Sequence, residues 1–368
     1  MNTNKLNVIY HNQKVGTLVY SNFLTSFQYD KNWITNGFSI SPFSLPLSSK
    51  IYTPPFQPFD GIFGIFNDSL PDGWGRLLMD RILKQNKVDN KKITPLYRLS
   101  IIGDSTLGAL EYSPTEIIYK KNLEEKDLDS INEQCKLILN NQETDSLDYL
   151  FKNAGSSGGT RAKIFKTIDK EDWIIKFPNS QDSPDIGIQE YEYLLCAKKC
   201  NIQIPEVKLF KSNRCSGYFG IKRFDRKNNT KIHMASASAL LETSHRLPNL
   251  DYLDLLKLTF YLTKDISQVK QMYNLMCFNV FSHNRDDHSK NFSFLYDNNK
   301  WKLSPAYDLT HSNSFNGEHA TTINGEGFNP TNKDMLQVGL DFGLNKNLCS
   351  TIIDKVQEIV QTNLAKYL

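Results

Sequence analysis

The residues best suited to chemistry in this chain are Ser282-His283-Asn284-Arg285-Asp286-Asp287-His288-Ser289-Lys290-Asn291. They follow Leu275-Met276-Cys277-Phe278-Asn279-Val280-Phe281, a run too apolar for a surface, so a buried element ends where a polar cluster begins. Four residues separate Asp286 from Asn291. Phosphoryl-transfer sites use that spacing to set one carboxylate against an attacking hydroxyl and one amide oxygen on Mg²⁺. Two other readings compete. A solvated turn would use the same residue types, and His288 beside Asp286 and Asp308 could hold a metal for hydrolysis. No second histidine stands four residues from His288, as a zinc-binding helix would need. His288 is instead expected to be buried and to brace the loop by hydrogen bonds.

The elements around this stretch must position it. Phe292-Ser293-Phe294-Leu295-Tyr296 alternates as a strand, Asp297-Asn298-Asn299-Lys300 has turn chemistry, and Trp301-Lys302-Leu303 returns. With Asn298 and Asn299 as the loop, Asp297 pairs with Lys300. The same register, carried outward, sets Asn291 opposite Ala306, with Asp308 on the same face roughly 7 Å along the strand. Asn291 and Asp308 are therefore predicted to share Mg²⁺, an ion suited to oxygen ligands completed by water and phosphate. A one-residue slip would part them.

Upstream, Gly155-Ser156-Ser157-Gly158-Gly159-Thr160-Arg161-Ala162-Lys163 is a glycine-rich loop whose amides could converge on phosphate. Alone it reads equally as a flexible connection. Ile164-Phe165-Lys166-Thr167-Ile168 and Trp173-Ile174-Ile175-Lys176-Phe177 then form predicted strands around a turn at 169–172. After Pro184 a helix is expected, with Glu190 on the same face as Leu194 and Ala197. A carboxylate on an apolar face needs a cation, and Lys176 is the candidate. Glycine loop, strand lysine and helix glutamate, in that order, is the arrangement of a protein-kinase small lobe. Tyr218–Arg226 would close that sheet, and helical patterns dominate from Ser236 onward, an α+β order.

The remaining composition is ordinary. At 368 residues, 39% hydrophobic and 23% charged, the chain is globular and long enough for two or three domains. A net charge of +3 does not call for nucleic acid. Six scattered cysteines without a CxxC pair read as reduced thiols. Met1–Asn7 lacks the apolar run of a signal peptide, and no stretch suggests a membrane span, so a cytoplasmic location is expected. Leu6–Tyr10 and Val15–Tyr20 form a predicted hairpin around His11–Lys14, and five prolines between Ser41 and Phe59 impose an extended loop. The glycines at 73 and 75 suggest a tight turn ahead of a helix through Leu77 and Met79. Dense mixed charge from Lys120 to Asn141 marks a candidate domain boundary.

Asn284–Phe294 followed by Leu303–Leu309 resembles the catalytic and metal-binding signature of HipA-type serine/threonine kinases, toxins of bacterial toxin–antitoxin pairs. Ser69–Gly75 and Gly103–Leu110 are similar to that family's amino-terminal signatures, and Gly155–Lys163 to its phosphate loop. The resemblance covers nearly the whole chain. It implies a two-lobed protein-kinase-like α+β fold with a mixed-sheet small lobe, a helical large lobe and an amino-terminal α/β subdomain. The expected division is 1–120, a helical connection 121–150, a nucleotide-binding lobe 151–228 and a catalytic lobe 229–368. By position, it implies Asp286 as catalytic residue and Asn291 and Asp308 as Mg²⁺ ligands. ATP contacts are implied from Ser157, Gly158, Gly159, Thr160, Arg161, Lys163, Lys176 and Lys290, and from Arg223, Phe224 and Asp225 near adenine and ribose. Ser156 matches a serine that some members autophosphorylate, with Ser157 beside it as the other candidate. The loop core reads Ser-Gly-Gly-Thr where many members have Pro-Gly-Gly-Ala, and Lys222 replaces an acidic hinge residue found in one member type. The family further implies a HipB-like antitoxin, DNA contact only through it, and a translation-related protein substrate such as an aminoacyl-tRNA synthetase. A kinase-like corepressor and a small-molecule phosphotransferase stand as alternatives. Retention of Lys176, Asp286, Asn291 and Asp308 favours an active kinase over the first. The amino-terminal signatures, which a small-molecule kinase would not need, count against the second.

Overall fold

The computed structural model describes residues 4–89, 93–120, 124–179, 182–314 and 316–368. Residues 1–3, and 121–123 at the start of the expected helical connection, lie outside them. The chain divides into two compact units. One comprises Met1–Ile188, Lys208–Ala235 and Ala239–Glu242, the other Gln189–Val207, Ser236–Ser238 and Thr243–Leu368.

The first unit opens with an antiparallel sheet. Strands Lys5–Tyr10 and Gln13–Ser21 are joined by His11 and Asn12, both with positive φ, and Tyr10 pairs with Gln13. The loop is thus two residues long, a tight turn whose twist suits the strands. Leu24–Tyr29, Ile51–Tyr52 and Leu110–Ser113 complete the sheet, with Leu110–Ser113 on the far side of Lys5–Tyr10. Leu6, Val8, Leu18 and Phe27 are fully buried, so one face is core. The helix Gly73–Gln85 buries Trp74, Leu78, Met79 and Ile82 along one stripe. That stripe joins Ile131 and Ile138 of the Leu128–Leu139 helix, Leu150 of Leu147–Ala154, and Ile164 and Ile175 of a second sheet in one hydrophobic core. The second sheet runs in the order Lys163–Ile168, Glu171–Lys176, Tyr218–Lys222, Val207–Phe210. Its first turn is Asp169-Lys170, both at positive φ, and Ile168 pairs with Glu171.

The second unit is mainly helical, built from Tyr252–Thr263, Ile266–Phe281, Asn332–Phe342 and Lys346–Leu364. In the Ile266–Phe281 helix every residue from Met272 to Val280 is buried. A helix apolar on all sides belongs at the centre of its unit, and it delivers the chain directly into Ser282–Asn291. The hairpin Ser293–Asp297 with Lys300–Leu303 follows, its turn made by Asn298 and Asn299 at positive φ. Among the described residues no helix is long and apolar enough to cross a membrane.

Candidate active site

The candidate residues fall in both units, and each set has its own geometry. In the first, Gly155 ends the Leu147–Ala154 helix at φ +53, a left-handed turn that glycine makes without strain. Ser156 is buried; its Oγ accepts the Leu107 N–H at 2.7 Å and its own N–H donates to the Ser105 carbonyl at 3.0 Å. The start of the loop is thus bound to the Gly103–Leu110 motif. Its tip is bound to the other amino-terminal motif. The Gly159 N–H donates to Asp72 Oδ1 at 2.6 Å, the Trp74 N–H donates to the Gly159 carbonyl at 2.8 Å, and the Trp74 indole N–H reaches the Lys163 carbonyl at 3.0 Å. A β-carbon on Gly73, at φ +44, would lie 2.2 Å from the Gly159 oxygen, and one on Gly75 would lie 2.6 Å from the Ser157 oxygen. The glycines at 73 and 75 are therefore not a turn ahead of the helix. They form its first turn, and they are glycine because the loop passes against them.

Lys163 begins a strand directly opposite Lys176, and its ammonium donates to the Gly158 carbonyl. Lys163 is buried, and the Lys176 ammonium lies 5.6 Å from the centre of the Phe219 ring. Gly158 is half-buried, while Gly159 and Thr160 are exposed. Arg161 pairs with Asp182 at 3.3 Å.

Arg223 and Asp225 have a different setting from an open nucleotide contact. Both are buried, with Arg223 on Asp225 at 2.7 Å and on the Thr106 carbonyl at 3.0 Å, and its guanidinium 4.4 Å from the centre of the Phe165 ring. Asp225 also accepts from the Gly108 N–H at 2.8 Å and from Arg226 at 2.8 Å. Burial pushes the Asp225 carboxyl up, but the guanidinium groups of Arg223 and Arg226 outweigh it and hold the carboxyl below its ordinary range. These side chains fasten the 223–226 segment to the Gly103–Leu110 motif. Phe224 between them is half-buried.

In the second unit the two neighbouring aspartates part company. Asp286 keeps 58% of its side chain exposed. Asp287 is buried and accepts four hydrogen bonds, from Tyr252 Oη at 2.7 Å, His319 Nδ1 at 2.9 Å, and the Ala320 and Thr321 N–H groups at 2.8 and 3.2 Å. Its carbonyl takes the Thr321 hydroxyl at 2.6 Å. Tyr252 is in turn held by the Asn279 amide at 2.8 Å, and Asn279 by Asn284 at 3.0 Å. Burial, followed by the Asp287 charge, raises the Tyr252 phenol well above its ordinary range, so it donates to Asp287 as a neutral hydroxyl. The loop therefore hangs from Asp287, which turns Asp286 outward. Sequence reasoning passed over Asp287; the signal was available in Tyr252 and Asn279, polar residues inside apolar helical runs.

His288 does not brace the loop by hydrogen bonds. Its Nε2 lies 4.0 Å from Asp286, it stacks obliquely on His245 at 5.4 Å, and its buried Nδ1 has no partner among the described residues. Asn291 ends a 3₁₀ turn, Ser289–Asn291, and its amide nitrogen donates to the Asp286 carbonyl at 2.7 Å, which leaves Oδ1 for another role. Lys290 precedes it, and the Lys290 carbonyl accepts the Tyr307 hydroxyl at 2.7 Å.

The hairpin register is as expected, with Asp297 opposite Lys300, but it does not extend to Asn291. Pairing stops at Phe294 and Leu303 with one further bond from Ser304 to Ser293, and the Ala306 N–H turns to the Gln203 carbonyl. Asp308 adopts φ +58, leaving the extended conformation. Strand alternation is thus not what aims Asn291 and Asp308. As donors they still fit Mg²⁺, an amide oxygen and a carboxylate that leave the other positions to water and phosphate. Among the described residues no group of three or more His, Cys, Asp and Glu could form a protein-only metal cage. Glu190, in the Ile186–Lys199 helix, is buried.

The sequence matches the family described as HipA N-terminal domain over residues 6–113, and the family described as HipA-like C-terminal domain over residues 155–364. A protein of Haemophilus influenzae described as "Putative kinase" is 24% identical over 232 residues, spanning 54% of this chain and 67% of that protein. The solved structure of HipA of Shewanella oneidensis MR-1, in complex with HipB and its operator DNA, superposes with a TM-score of 0.72 at 18% identity. It covers 98% of this chain and 90% of that one. The α+β fold is thus the two-lobed kinase-like one. The chain belongs to the HipA family of kinase-like proteins.

Proposed function

We propose that this chain is an ATP- and Mg²⁺-dependent serine/threonine protein kinase acting as a HipA-type toxin. The observation that carries the proposal is the pair Lys163 and Lys176, set opposite each other beside a glycine loop, a charge arrangement suited to nucleotide phosphates. The 157–161 loop and Lys290 would contribute further phosphate contacts. Arg223 and Asp225, whose side chains are engaged elsewhere, would meet the nucleotide with Phe224 through main chain. Asp286 would accept a hydrogen bond from the attacking hydroxyl and orient it. Asn291 and Asp308 would hold Mg²⁺, which neutralises the phosphates when bound. Glu190 would serve as a structural carboxylate. On this reading 1–120 is the amino-terminal subdomain, 121–150 its helical connection, 151–228 the nucleotide lobe and 229–368 the catalytic lobe.

The substrate class is a translation-related protein such as an aminoacyl-tRNA synthetase. Autophosphorylation falls on Ser156 or Ser157, both buried, so the loop must leave its seat for either to react. A HipB-like antitoxin, the partner of the Shewanella HipA, would neutralise the chain in the cytoplasm and provide its only route to DNA. Incubation of the purified chain with radiolabelled ATP and Mg²⁺ should label the chain and a protein in cell extract, and Asp286→Ala should abolish both. Binding of ATP by the wild type without any transfer would instead make the chain a corepressor.

A further inference from the structure

We propose that the second unit carries a docking cleft for an extended peptide segment of a partner protein, with acidic and aliphatic residues in alternation. The cleft has a volume of about 910 Å³ and lies open to solvent. Its walls are the 198–204 segment, the first half of the Ile266–Phe281 helix, the start of the Lys346–Leu364 helix, and Pro305.

Charge sets the first requirement. Lys198, Lys270 and Lys355 line the cleft, no Asp or Glu does, and among the described residues none of the three lysines makes an ion pair. Uncompensated ammonium groups around one concavity favour an anionic occupant. The second requirement comes from Asn274. Asn274 lines the cleft, and its side chain has no hydrogen-bond partner among the described residues. Its amide atoms are not sealed from solvent, so they are open to an occupant of the cleft. Its amide offers a donor and an acceptor together, the pair that matches the C=O and N–H of an extended main chain. The main chain of Gln203 cannot supply them, because its N–H is taken by Gln271 Oε1 at 3.0 Å and its carbonyl by the Ala306 N–H at 2.8 Å.

The apolar part of the lining is aliphatic, including Ile202, Ile352 and Val356, with no aromatic ring. A nucleobase would find no stacking platform there. In an extended peptide alternate side chains point to opposite faces, so one set can rest on these aliphatic groups while the other meets the lysines. Because Pro305 lines the cleft and Ala306 bonds Gln203, an occupied cleft abuts the segment that leads to Asp308.

The test uses the full chain and fluorescence anisotropy with a labelled hexapeptide alternating glutamate and leucine, against the same peptide with lysine in place of glutamate. The acidic peptide should bind and the basic one should not. The triple variant Lys198→Glu, Lys270→Glu, Lys355→Glu should weaken binding by about tenfold or more. Asn274→Leu should weaken it further with an unchanged thermal melt, and the lysine variant decides the matter if that one fails to fold. Equal affinity of wild type and triple variant, binding of both peptides alike, no binding at all, or complete displacement by inorganic phosphate would each overturn the docking cleft. The last outcome would leave only an anion site.

Discussion

Replacing each of two adjacent aspartates by alanine should give opposite results. Asp287→Ala removes the acceptor of four hydrogen bonds in a buried site, two from main-chain N–H groups and two from Tyr252 and His319. Each buried donor left without a partner costs about 1–3 kcal/mol. Water entering the vacated space recovers part of that, so the net loss is set at about 3–5 kcal/mol, the range for breaking a buried ionic contact. At roughly 2–4 °C per kcal/mol, melting of the second unit should fall by roughly 6 to 20 °C. Asp286→Ala deletes a carboxylate with 58% of its side chain exposed, and surface changes of this kind usually stay within about 0.5 kcal/mol. Its melt should match the wild type while label transfer is lost. Differential scanning calorimetry of the three proteins, alongside the radiolabel assay, reads both outcomes. If Asp287→Ala melts within a degree or two of wild type, the loop does not hang from Asp287. If Asp286→Ala retains transfer, Asp286 is not the catalytic carboxylate.

Gly73→Ala should lower ATP affinity, measured by calorimetric titration, because the new methyl group meets the Gly159 oxygen at 2.2 Å with φ at +44 and the loop must move. Trp74→Phe keeps much of the packing but strips the Lys163 carbonyl of its 3.0 Å partner, and should cost about 1–3 kcal/mol in the melting of the first unit. Glu242 accepts the Gly64 N–H at 2.9 Å, and burial pushes its carboxyl from 4.5 up to about 7. The folded state then binds this proton more tightly than the unfolded one, so stability is fully present below pH 4.5 and falls as pH rises through about 7. Glu242→Gln should accordingly melt like wild type at low pH and above it at pH 8.

Local order was legible in the sequence where neighbouring residues decide it. The hairpin around Asn298-Asn299 follows from alternation and turn chemistry, and its register can be read from the turn residues. The two strands after the glycine loop follow likewise, but their turn is the two residues Asp169-Lys170 where 169–172 was expected, so that Ile168 pairs with Glu171. The spacing of Asp286 and Asn291, and the order of glycine loop, Lys176 and Glu190, likewise depend only on chain order. What stayed hidden depends on partners distant in sequence. Asp287 looked redundant because its donors lie 32 to 35 residues away. Arg223 and Asp225 looked ready for a ligand because Thr106 and Gly108, which engage them, lie 117 residues upstream. The register argument for Asn291 failed because a 3₁₀ turn intervenes before the strand, and nothing in the alternation of side chains announces one.

The hold of Asp72, Gly73 and Trp74 on Gly159 and Lys163 bears on how the chain can be dissected. A fragment starting at Gly155 would keep every side chain proposed for nucleotide and metal. It would lose the acceptor on the Gly159 amide, the donor on the Gly159 carbonyl and the indole on Lys163. Such a fragment would also bare the apolar face that Trp74, Leu78 and Ile82 cover in the shared core. It would be a poor surrogate for the whole chain in ligand screening, and weak nucleotide binding by it would report the missing mould rather than the groups that touch phosphate.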